Sequence, residues 1–391
     1  MSDLDIERVQ VYAVGPETTR YTWASDMADQ FMTHNVIRIT TRGGLEGIAA
    51  AASYTDHDFD RSVAETLRPL LPSLIGTSAL AREHLWYRLQ SHNLPTAPQA
   101  LSMIDIALWD LVAKHARLPL YQLLGGARSK ILAYASTPML RDPQAYVDFV
   151  AELRGQGYQA VKFHAWCEAD RDLEMARAVH ARHGGSGLRM MLDAEQRYDR
   201  RDAYRAAADL ETLGFTWFEA PLVDTDLEGY RDLRQRVNIP ILPAGNWVMD
   251  PGLVWQGIRR EAWTSVRVDA SFAGGITPTG KIMALAESAG MTCELQCWGY
   301  TLQQAANLHL MSSRCRTPRS SSACWTSSAP TPRATCTRRP APGSGCGSTG
   351  TPCARRPSSR SRRRGTADRG RAGSGADQTV DGPRSFCHSV L

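Results

Sequence analysis

The chain has 391 residues, enough for two domains or for one barrel with an addition. No run of about 18 apolar residues occurs, and the N-terminus MSDLDIERVQ is acidic without an apolar core, so the reading is of a cytoplasmic protein with neither a membrane span nor a secretory signal. The net charge of +5 is unevenly spread: the last 80 residues hold 15 Arg and 3 Asp with no Lys or Glu, leaving 30 basic and 37 acidic residues in the first 311, so the body carries no charge signature of nucleic-acid binding.

Residues 1–60 read as strands and a loop: IERVQVYAV, then HNVIRITTRGGLEGIAAAAS with a Gly-Gly turn. Residues 61–126 read as helices. DRSVAETLRPLLPSLIG has helical periodicity with a glycine stop, and ALSMIDIALWDLVAKHA predicts an amphipathic helix. Together they predict an α+β unit over 1–126. From about 130 short apolar runs alternate with helical segments: KILAYAST, YQAVKFH, LRMMLDAE, TWFEAP, IPILPAGN, TSVRVDAS and MTCELQCW. Polar residues gather at the C-terminal end of each run. Lys162, Asp193, Glu219, Asn246, Asp269 and Gln296 follow one another at intervals of 31, 26, 27, 23 and 27 residues, about the length of one strand and one returning helix. Successive right-handed βα units of this kind close into a parallel barrel over 127–311, with chemistry at the strand C-termini. Seven strands are visible. Lys162 and His164 alternate onto one face of a strand, and burying a lysine costs several kcal/mol unless a partner compensates. Cys167, Cys293 and Cys297 are the cysteines of the body; none has C-x-x-C spacing, and the last two read as core thiols.

After Met311 the text changes to SSRCRTPRSSSACWTSSAPTPRATC, and over 312–391 the large apolar residues are Trp325, Val380, Phe386, Val390 and Leu391. Such a segment cannot bury enough surface to offset its ordering entropy, so it reads as a disordered tail. Its Arg, Pro, Ser, Ala, Gly, Thr and Cys are what GC-rich codons give out of frame. Joining each third base to the next two permits Leu-Ala-Val-Pro-Asn-Ser-Glu from Ser312, an apolar continuation of ANLHLM. On this reading the eighth barrel strand is lost, and the barrel keeps an open edge.

The helix ALSMIDIALWDLVAKHARLPLYQLLGG, with Ala100, Ser102, Asp105, Ala107, Leu108, Asp110, Leu111, Ala113, Lys114, Pro119, Leu120, Leu123, Leu124 and Gly125, resembles the signature of the enolase superfamily in its mandelate racemase/muconate lactonizing branch. The resemblance covers about 1–311. It implies an α+β capping domain followed by a modified TIM-type barrel. It also implies Mg²⁺ bound beside a small-molecule carboxylate substrate, and a homo-oligomer if the barrel is complete.

By the same resemblance Asp193 and Glu219 fall at metal-ligand positions. Asn246 stands where the family usually has a carboxylate, and Ala220 replaces the second acid of the family's glutamate-acid-proline ending. Glu195, two residues after Asp193, either restores that missing charge or contacts substrate or solvent. KFH resembles the family's Lys-x-Lys with His164 in the place of the base, and a protonated Lys162 should lower the His164 pKa. Asp269 is present on the opposite side, but Gln296 replaces the histidine of the racemase dyad and cannot move a proton. Tyr21, Trp23, Tyr54 and His57 lie on two loops expected to cover the mouth. The activity implied is proton abstraction α to a carboxylate, foremost acid-sugar dehydration. Alternatives are a racemase or epimerase, a silent carboxylate-binding homologue, or a truncated pseudoenzyme.

Overall fold

The structure, a computed structural model, describes residues 2–14, 33–53, 57–91, 97–297, 301–314, 322–324 and 335–337. Three strands open it: β1 (Ile6–Val14), β2 (Thr33–Thr41) and β3 (Glu46–Ser53), antiparallel in that order. The Gly-Gly turn joins the last two, with Gly44 at φ 79°. Helices follow at His57–Leu67, Arg82–Ser91 and Pro98–His115. The first stops at Leu67 rather than running on to Gly76. Pro69 and Pro72 remove backbone donors there, and Leu71–Ser73 forms a 3-10 turn instead.

The signature helix Pro98–His115, read as amphipathic, is buried on more than one side. One side lies on the sheet, where a Cβ at Gly47 would overlap the Ala107 carbonyl. Asp110 accepts from the Ile48 N–H at 2.9 Å and pairs with Lys114 at 2.8 Å. The other side meets the barrel helix Ile276–Ser288. Asp105 caps that helix, accepting from Thr277 N at 2.9 Å and Thr277 Oγ1 at 2.6 Å. Ser102 Oγ accepts from Gly274 N at 3.0 Å, and Trp109 Nε1 donates to Thr277 Oγ1 at 2.9 Å.

The barrel strands are β4 (Lys130–Ser136), β5 (Ala160–His164), β6 (Arg189–Asp193), β7 (Trp217–Glu219), β8 (Ile241–Leu242), β9 (Ser265–Val268) and β10 (Thr292–Leu295). β4 to β8 pair in parallel in chain order, as do β9 and β10; Thr264 N donating to Ile241 O at 3.0 Å links β8 to β9. Helices return between them, and four open on aspartate caps at Asp142, Asp199, Asp226 and Asp250. Every residue of β5 is buried, as expected of a parallel strand covered on both faces.

The last helix among the described residues, Thr301–Met311, is followed by three further packed residues. Ser312 and Ser313 are buried and Arg314 pairs with Glu287 at 3.2 Å, so packing continues past the expected break. A three-residue strand β11 (Ser322–Cys324) pairs in parallel with β4, in the eighth place. A second, β12 (Thr335–Thr337), pairs with β4 antiparallel. The rest of the expected tail lies outside the described residues. Among the described residues no helix is long and apolar enough to cross a membrane.

Candidate active site

Register brings the polar residues level. His164 pairs with Asp193, and Asp193 with Glu219, across three neighbouring strands at their C-terminal ends. Lys162 lies one alternation deeper on β5. Its Nζ donates to Asp193 Oδ2 at 2.7 Å and Glu219 Oε1 at 2.6 Å, with all three groups buried. The buried lysine therefore has two carboxylate partners, which keep it charged despite burial.

His164 Nδ1 lies 2.9 Å from Thr137 O, a carbonyl that only accepts, so Nδ1 carries the hydrogen. Nε2 then faces the mouth, 3.2 Å from Asp193 Oδ2 and 3.1 Å from Glu195 Oε1. Burial and the Lys162 cation do lower the His164 pKa. Asp193 and Glu195 outweigh both and raise it to about 9, a net shift opposite to the one expected. Burial pushes Asp193 up, but Lys162 and His164 hold it well below the usual carboxylate range. Burial pushes Glu219 up to about 7, with Arg267 and Lys162 opposing and Asp193 adding.

Four non-glycine residues at this rim have left-handed backbones: Cys167 (φ 59°), Glu195 (φ 49°), Gln196 (φ 64°) and Ala220 (φ 48°). Each costs of order 1 kcal/mol, and such strain concentrates at functional sites. Gln196 N donates to Ala220 O at 2.8 Å, tying the two turns together.

The opposite wall is neutral at its surface. Gln296 Nε2 donates to Ala244 O at 2.8 Å and to Asn246 Oδ1 at 2.9 Å. Asp269 is fully buried behind it. Its Oδ1 accepts from Ser271 N at 2.7 Å and Asn307 Nδ2 at 2.8 Å, and among the described residues Oδ2 has no partner. Burial raises its pKa.

Sequence reasoning missed Arg267. It is buried on β9, with Nη2 2.9 Å from Glu219 Oε1 and Nε donating to Ala244 O at 3.2 Å. The signal was there, since Arg267 stands two residues before Asp269 and alternation puts both inside. Thr137 was missed too: its carbonyl faces the His164 ring while its Oγ1 accepts from His164 N at 3.2 Å, a contact between neighbouring strand ends that no motif marks. Tyr21, Trp23 and Tyr54 lie outside the described residues. His57 opens the first helix. Among the described residues His164, Asp193 and Glu195 form a cluster with metal-ligand spacing, and Glu219 lies outside it, held by Lys162, Arg267 and Trp217.

Two family descriptions match the chain: "Mandelate racemase / muconate lactonizing enzyme, N-terminal domain" over residues 9–125, and "Enolase C-terminal domain-like" over 145–346. The chain is 31% identical over 248 residues to D-galactarolactone cycloisomerase of Agrobacterium fabrum, which covers 61% of this chain. It is 31% identical over 263 residues to L-talarate/galactarate dehydratase of Salmonella typhimurium, covering 65% of this chain. It spans 65% of the length of each of these relatives. N-succinyl-L-Arg/Lys racemase of Bacillus cereus is 25% identical over 307 residues, covering 75% of this chain and 79% of the racemase. Among solved structures, a Pseudovibrio sp. protein described as a mandelate racemase/muconate lactonizing enzyme superposes with TM-score 0.78 at 37% identity, covering 81% of this chain and 85% of that one.

Proposed function

The chain belongs to the mandelate racemase/muconate lactonizing enzyme branch of the enolase superfamily, and from that membership we propose that it removes the proton α to a substrate carboxylate, foremost in the dehydration of an acid sugar. Relatives with lyase names and relatives with racemase or epimerase names both match, which supports an enzyme of this chemistry. The observation that carries the finer reading is the pairing of Lys162 and His164 on β5 beside buried carboxylates, against a wall whose Gln296 cannot transfer a proton.

Magnesium is the cofactor implied. The donors suit it: Asp193 and Glu219 are buried carboxylates on adjacent strands, and Glu195 is a third at the rim. They are compensated by the Lys162 ammonium. Bound there, Mg²⁺ supplies positive charge against which a carboxylate becomes a better electron sink. The protein's own groups do the rest. Lys162 offers a fixed cation for the substrate carboxylate. His164, with Nδ1 committed to Thr137 O, accepts the α-proton at Nε2 in its neutral form, which in the metal-free site predominates only above its raised pKa of about 9. Gln296 and Asn246 contribute hydrogen bonds only, which disfavours two-base racemisation and leaves one-base epimerisation as the nearest variant.

The test is α-proton exchange. Acid sugars, gluconate and galactarate first, are incubated with the protein and Mg²⁺ in D₂O and followed by proton NMR. Loss of the α signal with a keto-deoxy product is expected, and His164→Ala should slow it about 10³-fold. Undiminished exchange in that variant would remove His164 from the role. Epimer without elimination would move the reading to the isomerase alternative.

A further inference from the structure

The two departures on the wall opposite His164 touch each other, and their geometry points to a displaced metal cradle. We propose that the divalent cation is held by Asp193, Glu195 and Glu219, and that Asn246, in the place of the family's third acid, is no ligand but half of a neutral amide lock with Gln296. The proposal rests on the metal-dependent reading above and sharpens it.

The orientation of both amides follows from one backbone atom. Ala244 O can only accept, so the Gln296 atom 2.8 Å from it is the NH₂ group. The same nitrogen lies 2.9 Å from the Asn246 side chain, so the Asn246 atom facing it is the carbonyl oxygen. The oxygen that could meet a cation is thus turned to Gln296, and the outward atom of Asn246 is a donor. The backbone that carries Asn246 is held in place. Asp224, fully buried, accepts from Ala244 N at 2.8 Å, Asn246 N at 2.9 Å and Trp247 N at 3.1 Å. Gly245 sits at φ 70°, where a Cβ would overlap the Arg267 carbonyl.

On the other side the missing charge is restored. Asp193 Oδ2 is the shared point of two contacts: it meets the Lys162 ammonium together with Glu219, and His164 Nε2 together with Glu195. The left-handed turn at Glu195 brings its N–H to Asp193 Oδ1 at 3.1 Å and folds the two carboxylates over one another. The cradle draws on Asp193 at the end of β6, Glu195 in the turn that follows, and Glu219 on β7, which reaches Asp193 through the Lys162 they share and not through the closer cluster with His164. A hard divalent cation needs that charge and those oxygens, which a neutral amide on β8 does not supply.

The experiment uses the full chain and Mn²⁺ as the probe, with free Mn²⁺ followed by its EPR signal. Glu195→Gln should weaken Mn²⁺ binding about tenfold or more, while Asn246→Ala and Gln296→Leu stay within about threefold of the parent. Glu195→Asp, which keeps the carboxylate, should recover part of the loss and guards against a folding defect in Glu195→Gln. An Asn246→Ala loss equal to or larger than that of Glu195→Gln overturns the proposal, as does a Glu195→Gln variant that binds like the parent. A parent protein that fails to bind Mn²⁺ at millimolar concentration overturns the metal-dependent reading itself, a different failure.

Discussion

Removing the Lys162 ammonium tests the charge balance of the barrel directly. Lys162→Met preserves length and apolar stem but leaves Asp193 and Glu219 facing one another without the cation they share at 2.7 and 2.6 Å. Breaking a buried pair from one side costs about 3–5 kcal/mol. At roughly 2 °C per kcal/mol for a body of this size, the melting temperature should fall by about 6–10 °C. The loss has a sign with pH. Burial already raises Glu219 to about 7 against the opposing charge of Lys162, so without the cation its folded pKa climbs further above the unfolded value. A raised folded pKa stabilises below the unfolded pKa and ceases to do so as pH climbs. The variant should therefore lie closest to the parent near pH 4–5 and furthest from it at pH 8. Millimolar Mg²⁺ should restore the variant more than it stabilises the parent, because the ion takes over the vacated charge. Differential scanning calorimetry in EDTA and in Mg²⁺ measures all three. A variant within 2 °C of the parent at pH 8, or a loss equal at both pH values, would refute the assignment of Lys162 as the compensating charge.

In metal-free protein the His164 ring should titrate near 9 by NMR, and the stability it contributes should be complete below about pH 6.5 and lost as pH passes 9. Burial raises Glu294 to about 8 against the Arg267 cation, so the parent should lose stability between about pH 4.5 and 8, and Glu294→Gln should flatten that slope by up to about 1.4 kcal/mol per pH unit. Gly245→Ala, forced against the Arg267 carbonyl at a left-handed φ, should cost about 2 kcal/mol or more in urea unfolding. Resequencing the gene is expected to reveal a one-base slip near codon 312; an intact frame in independent isolates would dismiss the out-of-frame reading.

The barrel was legible because its period was. Residues 23–31 apart could be read as strand ends without knowing any contact, and register then set His164, Asp193 and Glu219 side by side. The Lys162–His164 alternation was equally plain. Arg267 was overlooked although the same alternation reveals it. Two features were not legible. The rise in the His164 pKa depends on carboxylates 29 and 31 residues away outweighing its near neighbour Lys162, a balance of distances that a sequence does not contain. The role of Asn246 turns on the Ala244 carbonyl, a backbone atom common to every residue type. The signature helix reads as amphipathic because periodicity cannot say that a second layer covers its other face.

That helix has a consequence for how such enzymes change. Asp105 and Ser102 belong to the N-terminal part, yet they hold Gly274 and Thr277, in the segment that leads from Asp269 into the next helix. The segment behind one wall of the mouth is therefore fastened from outside the barrel. A transplanted cap lacking an acid at 105 would leave the amide ends of a barrel helix bare inside the protein. Cap and barrel should therefore be exchanged only as a matched pair. Chimeras between relatives should fold only when the seam at 102–109 and the segment at 270–277 come from the same parent.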